Sequence, residues 1–348
     1  MEFSGIMLGA ALLILCFGLC IAVLYRIVIR QNIPLMKQRF TGEDSSAFGI
    51  RFGRILHGFL RGHNLAANRL VPMKAIRSKL EAEFDSFYRG FAYEGTGMGF
   101  GARAMLRPGR RGRAFERYVY RLDPAHIYQY YVGLGWWLYS IYRFRPEPYQ
   151  RWMRTMDPYY APMLYDGVGF KAALFDYGIN ASLFDHLGRM GSSALRIGCQ
   201  GYGRCLWFQC RYEIAPVLSV LKNAPIEVRQ DVISGVGLAV AYSLFDNPGR
   251  VQGIYRMMPV LYQASFRQGM AFGWEARKRQ NKTYWDEMTS TFDAVWRGKM
   301  EEGVQVVHLA RELAGRHSPE MHYVRWMDKT RQLMKDYDVL GGLTCLRS

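Results

Sequence analysis

The chain has 348 residues, half of them hydrophobic, with six cysteines and a formal net charge of +17. That apolar fraction excludes a disordered chain, and the length suffices for one large domain or two small ones. The charge calls for an anionic counterpart: lipid head groups, nucleic acid or an acidic protein face.

The first element in chain order is apolar. Gly5 to Tyr25 carries no charged side chain, and about 20 such residues can cross ~30 Å of hydrocarbon as a helix. A cleaved signal peptide fits less well. The leading MEFS has no Lys or Arg, the apolar stretch exceeds the ~7–15 residues of a signal core, and Arg26-Ile-Val-Ile-Arg30 offers no small-x-small cleavage site. Residues 1–25 therefore read as a single transmembrane helix. Arg26, Arg30, Lys37 and Arg39 follow it and no basic residue precedes it, which places the remainder on the cytoplasmic side. Residues 26–72 are basic and weakly periodic and read as a juxtamembrane linker with a short helix or two.

From residue 73 onward a spacing dominates. Gly-x-Gly pairs stand at Gly99/Gly101, Gly133/Gly135, Gly167/Gly169, Gly201/Gly203 and Gly235/Gly237, each pair 34 residues after the last. The series continues at Gly269 and Gly303 with the second slot lost. A proline falls 24 or 25 residues after the first Gly in four units, at Pro124, Pro158, Pro225 and Pro259. Proline suits the first turn of a helix. Each unit thus reads as an αα-hairpin: a helix opened near the proline and carrying the glycines, a turn, and a second helix. The fold class expected is all-α, a transmembrane helix followed by a solenoid-like, tetratricopeptide-like array over residues 73–343 and a tail over 344–348. Glycine inside a helix costs about 1 kcal/mol against Ala, so close helix-to-helix approach is the expected compensation.

With the repeat in view, FYRGFAYEGTGMGFG (87–101), YVGLGWW (131–137), DGVGF (166–170), QGYGRCLWF (200–208), SGVGLAVAY (234–242) and QGMAFGWEARKR (268–279) resemble the bacterial UnbL-type family of enediyne biosynthesis proteins. The resemblance runs collinearly over about residues 75–343. It implies an association with enediyne gene clusters, no established reaction and no catalytic residue to carry over. It also makes the membrane in question the bacterial cytoplasmic membrane.

Chemistry is sparse. No His-Glu-x-x-His, Walker loop or Gly-x-Ser-x-Gly elbow is present, and the glycines at 95–101 lack the strand a dinucleotide loop needs. Cys199, Cys205 and Cys210 have neither redox nor zinc spacing and read as reduced, buried thiols. His317 and His322 lack metal-ligand spacing and read as solvated surface histidines and not as a loop metal site. No catalytic residue, cofactor or metal is expected. Two columns of the repeat face one way: the residue before each first Gly, and the residue three after it. They nominate Asp166, Phe170, Gln200, Arg204, Gln268 and Phe272 as a groove.

Between Arg26 and Arg121 there are nineteen Lys or Arg against seven Asp or Glu. Arg26, Arg30, Arg107, Arg110, Arg111, Arg113 and Arg117 form the expected patch for anionic lipid or an acidic partner. The resulting expectation is a membrane-anchored helical-repeat scaffold or accessory subunit that binds protein partners in a membrane complex. Its alternative is an enzyme or carrier of a specialised-metabolite pathway with a hydrophobic substrate in the groove. Nucleic acid is not expected as a partner, since no recognised module appears.

Overall fold

The computed structural model describes residues 18–19, 25, 29–107, 109–315 and 319–340. Among these residues all regular structure is helical. The helices are α1 (Ile33–Thr41), α2 (Ala47–Ala67), α3 (Met73–Glu83), α4 (Ser86–Met105), α5 (Arg111–Leu122), α6 (Ile127–Tyr142), α7 (Pro146–Met153), α8 (Leu164–Ala172) and α9 (Ser182–Arg189). They continue with α10 (Ser192–Gln209), α11 (Ile214–Leu221), α12 (Arg229–Ser243), α13 (Pro248–Arg256), α14 (Val260–Gln280), α15 (Lys282–Ser290), α16 (Ala294–Leu313) and α17 (Pro319–Leu340). Short polar side chains start several of them. Asp85, Asp293 and Asn281 accept from the N–H groups of Tyr88, Trp296 and Tyr284, and Asn247 caps α13 with Pro248 in its first turn.

The glycine helices form an inner layer. Helices α4, α6, α8, α10, α12, α14 and α16 each pack on the next, and α2 packs on α4 ahead of them. The shorter helices between them form the outer layer. The two glycines of a pair serve opposite neighbours. A Cβ on Gly167, Gly201, Gly235 or Gly269 would meet the carbonyl oxygen of Val132, Asp166, Gln200 or Ser234 on the preceding inner helix. A Cβ on Gly135, Gly169, Gly203 or Gly237 would meet that of Leu164, Gly198, Val232 or Phe266 on the following one. Every one of these approaches falls well under 3.0 Å, which real Cβ atoms essentially never show. The inner helices therefore touch backbone to backbone on both sides. The series fades at its ends, where Gly101 faces the side chains of Leu134 and Trp137 and Gly303 faces Trp274.

An open solenoid unit touches only its neighbours, and here distant units meet. Arg51 of α2 donates to Ser243 O at 2.9 Å and pairs with Asp246 at 2.7 Å. Arg277 of α14 donates to Phe87 O of α4 at 2.7 Å. Phe52 of α2 stacks on Phe208 of α10, with centroids 5.2 Å apart. The array closes on itself, and the face read as an open groove becomes its interior. The solenoid expectation is corrected on this point.

The membrane expectation is also corrected. No helix among the described residues is long and apolar enough to cross a membrane, so the single-pass architecture and the placement at the cytoplasmic membrane are withdrawn. Most of residues 1–25 lies outside the described residues. Its last residue and the start of the next stretch are held by the helical domain: Tyr25 donates its hydroxyl to Asn64 O at 2.6 Å, and Ile29 O meets His63 Nε2 at 2.9 Å. Of the stretch read as a linker, α2 spans 21 residues and buries one face against α4. The aromatic run of α6 is likewise spent on internal packing, with Trp136 set between Phe59 and Phe170.

Candidate functional site

The closed array converges on a cavity of about 60 Å³, room for roughly four or five ordered waters. Six inner helices reach it. Helix α4 contributes Glu94, α6 Tyr128 and Gln129, and α8 Asp166; α10 contributes Arg204, α12 Leu238 and Tyr242, and α14 Phe272 and Glu275. Helix α17 lies across it with Tyr323 and Trp326. The lining is mostly apolar and aromatic with a few charged groups, the composition of small-molecule sites.

Three of those charged groups form one cluster. Arg204 Nη1 donates to Asp166 Oδ1 at 2.5 Å, and Nη2 donates to Glu94 Oε2 at 3.1 Å and Oε1 at 3.3 Å. All three side chains are nearly fully buried. The guanidinium lies 5.3 Å from the ring centre of Phe170. Burial works against the charge of Arg204, and the two carboxylates outweigh it, so its pKa stands above the ordinary value. One guanidinium cannot compensate two buried carboxylates. Burial accordingly pushes the carboxyls of Glu94 and Asp166 up, with Arg204 only partly restoring each. The pair holds a proton more readily than ordinary carboxyls, and its titration belongs to the cluster and not to either residue.

A polar network surrounds the cluster. Gln200 donates to Ser234 Oγ at 2.9 Å and accepts from Tyr323 OH at 2.8 Å. Gln268 accepts from Arg331 at 3.4 Å, and its amide nitrogen finds no acceptor. Tyr128 OH donates to Glu275 at 3.2 Å, and His308 stands 3.5 Å from the same carboxylate. Phe272 packs against Trp326, centroids 4.7 Å apart.

The six residues nominated as a groove are all buried at this centre. Glu94, Glu275, Tyr323 and Trp326 were not nominated. Glu94 escaped because α4 is slid by one turn: Gly133 abuts Glu94 O, whereas the repeat register would have put Met98 there. Its column position in the sequence thus pointed to methionine. Tyr323 and Trp326 come from α17, which carries no repeat glycine.

Other expectations fall elsewhere. Cys199 and Cys205 are buried free thiols, and burial pushes the thiol of Cys210 up to about 11. His63 and His126 are buried, lowered to about 4 and about 3 by that burial, and His126 stacks on Tyr93 at 3.7 Å. His322 is buried too and meets Gly315 O at 2.9 Å, while His317 lies outside the described residues. No group of three His, Cys, Asp or Glu side chains that could hold a metal occurs among the described residues. Of the basic patch, Arg26 lies outside the described residues. Arg30 is exposed ahead of α1, and Arg107, Arg110, Arg113 and Arg117 are exposed on and before α5, with Arg111 half-buried among them.

Comparison with known families matches residues 27–334 to the family described as "Protein of unknown function (DUF1702)". The chain belongs to the DUF1702 family. The match takes in both the closed array and the stretch read as a linker, so α1 and α2 are part of the DUF1702 domain and not an appendage to it. No curated protein and no solved structure matches the DUF1702 chain.

Proposed function

We propose that this DUF1702 chain binds a largely apolar molecule at the centre of the closed array, with one polar group of the ligand placed on Arg204 and its carboxyl partners. The observation that carries this reading is the buried Glu94–Arg204–Asp166 cluster in the wall of an aromatic cavity. Such a cluster is a poor device for stability, since replacing a buried ion triad with neutral groups of similar volume is often neutral or stabilising by roughly 1–4 kcal/mol. Perturbed buried carboxyls in a cavity are instead the mark of binding or acid–base sites. The likeness to enediyne biosynthesis proteins supports an unsaturated chain as the apolar part. At its present volume the cavity admits such a ligand only if α17 shifts outward.

The test separates binding from folding. The triple variant Glu94→Gln/Asp166→Asn/Arg204→Met should keep or raise the denaturant midpoint. It should also lose any compound that the wild-type chain retains in native mass spectrometry after purification from its host. Retention of the same compound by the variant rejects the proposal, as does a wild-type chain that retains nothing and is not stabilised by a panel of long-chain unsaturated acids, alcohols and amines.

A second reading, protein docking, is favoured by one observation. Ile226, Val260, Leu261 and Val295 stand exposed at the starts of consecutive inner helices, with 34 residues from Ile226 to Val260 and from Leu261 to Val295. Ile226→Asp/Leu261→Asp should abolish co-purification of a partner if this row is an interface, and should leave the central-cavity ligand in place.

A further inference from the structure

A second cleft, of about 360 Å³, opens on the outer layer between the start of α5 and the helix α7. Its lining includes Arg111, Arg151, Arg154, Tyr142 and Trp152. Three features of it are unbalanced. First, none of Arg107, Arg110, Arg111, Arg113, Arg151 and Arg154 forms an ion pair among the described residues. Glu147 stands one turn before Arg151 on α7 and still does not pair with it.

Second, the N-terminus of α5 is left uncapped. Its first turn holds no acid, its cap residue Arg110 makes no side-chain capping bond, and Ala114 is the first residue in it whose N–H is bonded within the helix. Positive side chains stand where the free N–H groups already carry the positive end of the helix dipole. Third, two donors in the wall lack acceptors. Trp152 is 2% exposed and its indole N–H has no partner, and Arg111 Nε is buried without one while its Nη1 meets only Tyr142 OH at 3.3 Å. Buried donors are nearly always satisfied. Cationic forks, free helix N–H groups and orphan donors all call for the same missing partner, a multivalent oxygen acceptor.

We infer that the cleft between α5 and α7 is a binding site for a phosphate-type dianion, held by the Arg111, Arg151 and Arg154 guanidinium groups and the first-turn N–H groups of α5. This site stands apart from the central cavity and does not rest on the reading given to it. The same chemistry is offered by inorganic phosphate and by the terminal phosphate of an organic monoester. Isothermal titration of the full chain with sodium phosphate and with glycerol 3-phosphate, against sodium chloride of equal ionic strength, distinguishes them: the true source binds more tightly.

Saturable binding of at least one of the two is expected, with at least a tenfold loss of affinity in Arg151→Ala/Arg154→Ala, whose two side chains are exposed on and just after α7. Arg117→Ala/Arg121→Ala removes the same charge outside the cleft and should change affinity less than twofold. No saturable heat with either phosphate, an unchanged affinity in the first variant, or an equal loss in both variants overturns the site.

Discussion

A glycine that lets two backbones touch can be told from one that merely occupies a helix by adding a methyl group to it. Gly235 has the carbonyl of Gln200 where its Cβ would go, whereas Gly298, also inside a helix, has nothing within 4 Å. Gly298→Ala should raise stability by about 1 kcal/mol through helix propensity alone. Gly235→Ala should lower it by at least the ~1–3 kcal/mol of core overpacking, since the obstacle is backbone and cannot rotate away. Urea unfolding of the two variants checks both signs, and equal effects would deny the seam. The columns flanking these glycines make Asp166, Gln200, Arg204 and Gln268 legible as one facing set from their spacing alone. Glu94 is illegible for a local reason. The one-turn slide of α4 puts its extra glycines in the seams, Gly95 against Phe59 O of α2 and Gly97 against Tyr130 O of α6, and no spacing rule announces such a slide.

Among the elements, α17 is the one attached by polar bonds more than by glycine seams. Asp231, buried at the start of α12, is shared by Arg196 at 2.8 Å and Arg331 of α17 at 2.6 Å, and Arg196 also reaches Asp328 of α17 at 2.6 Å. Trp326 Nε1 donates to Val307 O at 2.8 Å and Tyr323 to Gln200. Asp231→Ala leaves two guanidinium groups short of their shared carboxylate and should cost about 3–5 kcal/mol. Amide exchange over residues 321–334 should accelerate before the rest of the molecule responds. Unchanged exchange there would mean that packing, and not this ion network, holds the helix down. No signal in the sequence assigns α17 to the cavity, because its aromatic residues sit outside the repeat and Tyr323 reaches Gln200, 123 residues away along the chain.

The molecule as a whole carries an acid sensitivity to which the buried imidazoles of His63 and His126 contribute. His63 and His126 are lowered to about 4 and about 3 by burial. The unfolded chain takes up these protons near the ordinary histidine range and the folded chain only well below it. Stability from them is therefore complete above about pH 6.5 and declines as pH falls toward 4. With both unfolded-state sites protonated the slope approaches ~2.7 kcal/mol per pH unit. His126→Phe, which keeps an aromatic ring against Tyr93, should flatten that decline by about half in melting curves between pH 4 and 7; an unaltered slope would show that other groups set it.

At this scale the all-helical class and the 34-residue unit are readable from glycine spacing. Closure is not, because it depends on pairs such as Arg51 with Asp246, 195 residues apart, and periodicity speaks only of neighbours. Nor can length and charge reveal that Tyr25 and Ile29 dock on α2. Closure also sets a limit on how such a chain can change over generations. An open stack can be lengthened by duplicating a hairpin, since the new copy finds its place between two old ones. Here an added copy would part Arg51 from Asp246 and Arg277 from Phe87, so the number of hairpins is fixed by the join and variation is confined to the outer helices and their turns.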